Sequence, residues 1–262
     1  MINRYYKDRE KQYGKGLNSI RVLIDRSETE KTETGWSFWK PALAGPLQEH
    51  KGRDLVFYIM EGAGEIRLGD QLIGLKQGNL LYVPDGVQHQ ILTQEDDSLS
   101  YILFTVFNDP AKQDSNAQID QIREPIFLRN TDQGKVYEFG SNTTTLLLER
   151  NRTNKVELAL IRWPEGSKGA MAAHKDKEQT FYVLSGRGNV TIDGDTEQVL
   201  PGHVVFVPRN TPHTSEALEG ELVYLCLNSL VNPADESFDT MYQRIIPGRM
   251  ERWKNGNNKV GE

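Results

Sequence analysis

The chain has 262 residues, 37% of them apolar and 26% charged, enough for one large domain or two of ordinary size and unlike a disordered or fibrous chain. Its formal net charge of -6 argues against a nucleic-acid backbone or an anionic membrane as the main partner, which leaves a small molecule as the expected one. Cys226 is the single cysteine, so no internal disulfide forms and an apolar core must hold the fold.

The chain starts with "MINRYYKDREKQYGKG", which is highly charged and lacks the roughly 7 to 15 apolar residues of a secretory signal, so a cytoplasmic protein is expected. No later segment approaches the ~18 unbroken apolar residues of a membrane span. Instead the chain repeats itself. "HKGRDLVFYIMEGAG" (50–64) falls on "HKDKEQTFYVLSGRG" (174–188), and "GNLLYVPDGVQH" (78–89) falls on "GHVVFVPRNTPH" (202–213). Trp39, Gly45, Gly62 and Pro84 fall on Trp163, Gly169, Gly186 and Pro208, all at one shift of 124 positions and without a gap.

Within each copy, "DLVFYIM" and "QTFYVLS" read as strands ending at Gly-x-Gly, and "LGDQL" and "IDGDT" read as hairpin turns. Short strands at this spacing predict an all-β protein of jelly-roll type. Residues 1–108 are assigned to a first barrel with a leading arm, 109–136 to a connector, 137–232 to a second barrel and 233–262 to a tail. Only "ADESFDTMYQRI" in that tail carries a weak helical pattern.

These residues resemble the cupins, whose second motif, G-x5-P-x-G-x2-H-x3-N, is nearly complete in both copies. Gly78, Pro84, Gly86 and His89 supply it once; Gly202, Pro208 and His213 supply it again, with Asn210 at the second Gly and Thr93 and Ala217 at the terminal Asn. The resemblance implies a bicupin, two tandem double-stranded β-helix barrels in one polypeptide, which can associate further as a homodimer. The first motif, G-x5-H-x-H-x3or4-E-x6-G, is incomplete. His50 and His174 keep its second histidine, Gln48 and Ala172 stand at the first, and Leu55 and Gln179 stand at the glutamate. The ligand positions implied by the family are therefore His174, Gln179 and His213 in the second barrel and Gln48, His50 and His89 in the first.

Imidazole suits Zn, Fe, Mn or Ni, and an amide oxygen is a neutral, weaker donor than a carboxylate. A divalent transition metal held this way keeps its full charge and open positions. Glu178 and Asp54, four residues after each retained histidine, become alternative ligands if the strand bulges by one residue; strand alternation points them the other way. His203 has no place in the motifs and is expected to be a surface or hydrogen-bonded histidine rather than a ligand.

Arg162 is a candidate to grip a substrate carboxylate, against the plainer reading of an ion-paired arginine. Tyr58 and Tyr182, matched across the copies, are candidate proton donors, against the plainer reading of strand packing. The function expected from the resemblance is metal-dependent isomerase or lyase chemistry on a carbohydrate-like or keto-acid metabolite, with a dioxygenase and a non-catalytic ligand-binding bicupin as alternatives.

Overall fold

The structure is a computed structural model that describes residues 2–8, 12–13, 18–108, 127–232 and 236–254. Most of the predicted connector (109–126) and the end of the tail (255–262) lie outside the described residues. The strands in chain order are β1 (Ile2–Tyr5), β2 (Gln12–Tyr13), β3 (Asn18–Ile24), β4 (Thr32–Trp39), β5 (Arg53–Leu68) and β6 (Gln71–Lys76). They continue with β7 (Asn79–Val83), β8 (His89–Leu92), β9 (Leu99–Phe107), β10 (Phe127–Asn130), β11 (Lys135–Glu138) and β12 (Thr143–Leu148). After the short helix α1 (Arg150–Thr153) come β13 (Val156–Trp163), β14 (Lys177–Ile192), β15 (Asp195–Val199), β16 (His203–Val207) and β17 (His213–Leu230), then helix α2 (Phe238–Lys254).

Two compact units result, Asp8–Gln133 and Met1–Lys7 with Gly134–Glu262. In the first, the strands follow the order β10-β7-β5-β9-β4-β3-β2, with β6 and β8 on β5. In the second the order is β1-β16-β14-β17-β13-β12-β11, with β15 on β14. The leading arm, assigned from the sequence to the first barrel, instead pairs Ile2–Tyr5 with β16 and belongs to the second unit. The reason is an edge: without β1, the outer side of β16 would leave its backbone groups unpaired. The connector's end does the same for the first unit, where β10 pairs with β7.

Alternation builds each core. Leu55, Phe57 and Ile59 point inward to pack with Trp39, Leu81, Leu99 and Tyr101, and Phe181 and Val183 pack with Trp163, Val205, Leu222 and Tyr224. In each core the tryptophan Nε1 donates to a tyrosine hydroxyl, Trp39 to Tyr101 and Trp163 to Tyr224, both at 3.0 Å. The first pair is 62 residues apart and the second 61, so the repeat is not gapless. The missing residue lies in the turn after β8, because Gly64 and Gly188 still approach carbonyls 124 apart (Leu92, Glu216) whereas Gly62 and Gly186 approach carbonyls 123 apart (Ser98, Glu221). In the second copy the matching stretch, residues 217–220, lies within β17, whose register with β14 shifts there.

The Gly-x-Gly segments do not end their strands. At Gly62 and Gly186 the backbone takes φ of +79° and +78°, and β5 and β14 turn a corner and run on to Leu68 and Ile192. A Cβ at Gly186 would lie 2.3 Å from the carbonyl oxygen of Glu221. Gly186→Ala is therefore expected to lower stability by at least ~1 kcal/mol in urea unfolding, and a neutral outcome would deny that this corner is sterically fixed.

The hairpin at "IDGDT" forms as expected, with Asp193 and Gly194 at φ of +52° and +88°. The weak helical pattern becomes α2, whose Phe238 packs with Tyr137, Phe139, Leu146 and Ala159. Among the described residues, no helix is long and apolar enough to cross a membrane.

Candidate functional site

In the second barrel the turn before β17 positions both histidines. Asn210 takes the left-handed conformation (φ +59°) that Gly86 takes in the first copy, and its N–H donates to the His174 carbonyl at 2.7 Å. Three residues on, His213 opens β17, and its backbone exchanges two hydrogen bonds with Ala172. The His174 and His213 rings stand 5.3 Å apart, close enough to address one point. His213 Nδ1 donates to the Thr211 carbonyl at 2.9 Å, which leaves the Nε2 lone pair available.

Gln179 completes the group, inward-facing from β14 and 7% exposed. Its Nε2 donates to Asn228 Oδ1 at 2.8 Å, and its Oε1 is buried with no hydrogen-bond partner. A buried carbonyl oxygen left without a donor is costly, and a cation between it and the imidazoles removes that cost. The chain of contacts continues inward: Asn228 Nδ2 donates to Glu157 Oε1 at 2.6 Å, and Arg150 Nε donates to Glu157 Oε2 at 2.7 Å. This relay fixes the orientation of the Gln179 amide, with Nε2 on Asn228 and Oε1 left over as the free donor atom for a ligand.

Burial pushes His213 down to about 4, helped by the positive charges of Lys177 and Arg249 and opposed by the Thr211 carbonyl. His174 is held well below its usual value, by burial first and then by Lys177, His213, Arg249 and Arg150. Both rings are thus neutral at pH 7, the state that can ligate. Cys226 beside Gln179 is pushed up to about 12, chiefly by burial, and stays a thiol. Among the described residues no three His, Cys, Asp or Glu side chains converge on a point, so the donor set is two imidazoles and an amide.

The same shifts predict an acid-sensitive fold for metal-free protein. The unfolded chain protonates His213 near 6.5 and the folded chain only near 4, so stability is complete above the first value and is lost between them as pH falls. His213 alone contributes about 3 kcal/mol to that loss. Urea unfolding at pH 7 and pH 4.5 should show it, and His213→Asn should remove the His213 share while His174, also held low, keeps its own; an unchanged pH dependence in the variant would refute the assignment.

The first barrel repeats the ring pair without its chemistry. His50 and His89 are also 5.3 Å apart, and His89 Nδ1 donates to the Val87 carbonyl at 3.1 Å. However, the Arg53 guanidinium donates to His50 Nδ1 at 2.8 Å, which places the His50 proton on Nε2 and blocks that nitrogen as a ligand. Burial first, then Arg53 and His89, pushes His50 down to about 4. Leu55 belongs to the apolar core and Gln48 is exposed, so the first-barrel set does not fit a cation as it stands.

The alternative acids face away. β5 and β14 keep unbroken register from Arg53 to Ile59 and from Lys177 to Val183, with no bulge to rotate Asp54 or Glu178 inward. Asp54 accepts from the Tyr82 hydroxyl and the Asp85 N–H instead. Tyr58 and Tyr182 lie on the strand faces opposite the core residues Phe57 and Phe181 and so stand outside the barrel interiors. Arg162 pairs with Glu221 at 3.1 Å on a half-exposed surface, so it does not enter the barrel. His203 is half-buried and meets Asn3 of the arm.

Sequence reasoning misses Lys177 and Asn228, and reads Glu157 and Arg150, which repeat Glu33 and Arg26, only as strand-end charges that are solvated or in structural ion pairs. Parity is the available signal for the first two, because Lys177 shares the inward face of Gln179 and Asn228 that of Tyr224 and Cys226.

A protein-family model described as Cupin domain matches residues 36–106 and 159–228. An uncharacterised protein of Methanocaldococcus jannaschii is 37% identical over 62 residues, 24% of this chain and 50% of its own length. Quercetin 2,3-dioxygenase of Bacillus subtilis is 27% identical over 89 residues, 34% of this chain and 26% of that protein, so the chain spans only part of either curated relative. A variant of Bacillus subtilis oxalate decarboxylase superposes with a TM-score of 0.69 over 96% of this chain and 83% of that one, at 15% identity. Ylba from E. coli superposes with a TM-score of 0.72 over 89% and 92%, at 13% identity. At such identities the likeness is one of fold.

Proposed function

The chain belongs to the cupin family, as two cupin domains in tandem, and on that premise we propose that its second barrel is a metal-dependent site for a small molecule while the first barrel is not. The observation that carries this reading is the buried, unpartnered Oε1 of Gln179, on the inward face of the barrel that also holds two neutral histidines 5.3 Å apart. His174, His213 and Gln179 would hold the cation, of which Mn is one precedent, in the Mn(II) centres of Bacillus subtilis oxalate decarboxylase. A divalent ion there supplies Lewis acidity, which polarises a carbonyl or stabilises an enolate, as isomerase or lyase chemistry on a polar metabolite requires.

The protein's own groups orient and shelter. Phe181, Val183 and Tyr224 line the barrel behind the rings and exclude water. The relay through Asn228 holds the Gln179 oxygen forward. Neither histidine is protonated at neutral pH, so neither is an acid, and both would give their free lone pair to the cation, which leaves proton transfer to the substrate's own groups or water. Oxygenase chemistry is the second reading, favoured by the likeness to quercetin 2,3-dioxygenase.

The test is stripping with chelator, reconstitution with single divalent ions, and elemental analysis. One ion per chain is expected, and no uptake of any ion would overturn the proposal.

A further inference from the structure

The second barrel's mouth holds two cationic side chains with donors that no protein group satisfies, one of them fully buried. Lys177 is only 8% exposed, and among the described residues its ammonium, which keeps contact with solvent, has neither an ion pair nor a hydrogen bond. By strand alternation it shares the face of Gln179, at the β14 end three residues from His174. Arg150, 4% exposed, gives its Nε to Glu157 and keeps its Nη2 buried without a partner. Its link to Gln179 runs through Glu157 and Asn228, so both unsatisfied donors stand at one end of the barrel. Helix α2 adds Arg249, whose guanidinium lies 4.6 Å from the Phe139 ring centroid and donates to Asn142 Oδ1.

A buried donor without a partner, as the Arg150 Nη2 is, costs free energy unless a ligand accepts from it. The first barrel shows the alternative. Arg53 stands at the position matching Lys177, and there the cation spends its donor on His50. In the second barrel Lys177 makes no such bond, and His174 stays open for a ligand.

We infer that the mouth of the second barrel is an oxyanion subsite, in which Lys177 and the spare Nη2 of Arg150 hold an acidic group of the substrate. The inference rests on the metal-site reading for the chemistry that follows binding, and it narrows the substrate from polar metabolites in general to small carboxylate or phosphate compounds. A neutral sugar can accept from these donors but brings no charge to offset theirs.

The experiment is thermal unfolding of the full chain, metal-free and metal-loaded, with pyruvate, inorganic phosphate or glucose added. Pyruvate or phosphate should raise Tm saturably, since a ligand that binds only the folded state stabilises it. Pyruvate acting alone assigns a carboxylate, and phosphate acting alone a phosphate group. Lys177→Met and Lys177→Gln should each weaken the apparent affinity at least tenfold without lowering the unliganded Tm, while Lys177→Arg retains binding. The exposed Lys175→Met serves as the control and should behave as wild type.

Glucose as the only active compound, no shift with either anion, or equal affinity in the Lys177 variants would overturn the inference. Anion binding that depends on Lys177 in a protein taking up no metal would sink the metal reading and leave this one standing. Metal uptake without that dependence would do the reverse.

Discussion

His174→Ala and His213→Ala are each expected to abolish stoichiometric metal binding, whereas His50→Ala and His89→Ala leave it unchanged. Two ring pairs with the same 5.3 Å spacing would ordinarily predict two equal sites. The difference lies in what surrounds them. Around the second pair an orphaned Gln179 oxygen waits for a partner, and around the first an apolar Leu55 and an Arg53 hydrogen bond occupy the equivalent places. Removing a ligand should exceed the roughly 10–100-fold loss of metal affinity typical of an outer-sphere change. Asn228→Leu tests that milder class, because it frees the Gln179 amide to rotate while leaving all three donors. Elemental analysis and competition with a chromogenic chelator read both effects, and metal retained in His174→Ala but lost in His50→Ala would move the site to the other barrel.

The architecture was legible because the duplication writes it twice. Paired prolines, glycines and histidines at one shift exposed two barrels, and the inward parity of Gln179, Phe181 and Val183 held in the structure. Local pattern was weaker where long-range partners decide the outcome. Gly186 reads as a stop, but its positive φ turns a strand that partners on both sides of the corner keep extended. Arg162 has the right residue type for a carboxylate grip, but its partner Glu221 is 59 residues away in sequence, beyond any local pattern. Asn228 and Glu157 meet across 71 residues, and only strand pairing makes them neighbours of Gln179. The repeat itself misled at one point: equal histidines in the two copies suggested equal sites, and the substitution of Gln179 by Leu55 separates them.

Glu157→Gln should strongly destabilise the second barrel while leaving its shape intact. Glu157 is fully buried and Arg150 is 4% exposed, so the pair takes no help from solvent. Removing one charge leaves the other buried and uncompensated, which costs about 3–5 kcal/mol. Replacing both partners is a different matter, because the desolvation of two ions is then avoided: Arg150→Met with Glu157→Leu should recover most of the loss in urea unfolding. The double variant keeps the core and breaks the relay, so Asn228 loses its acceptor and the Gln179 oxygen is no longer held forward. Stability restored with metal affinity still reduced by about 10–100-fold would assign the buried pair to orienting the site. Full recovery of both would reduce Glu157 and Arg150 to structural ions, and metal binding would then rest on His174, His213 and Gln179 without support from the pair.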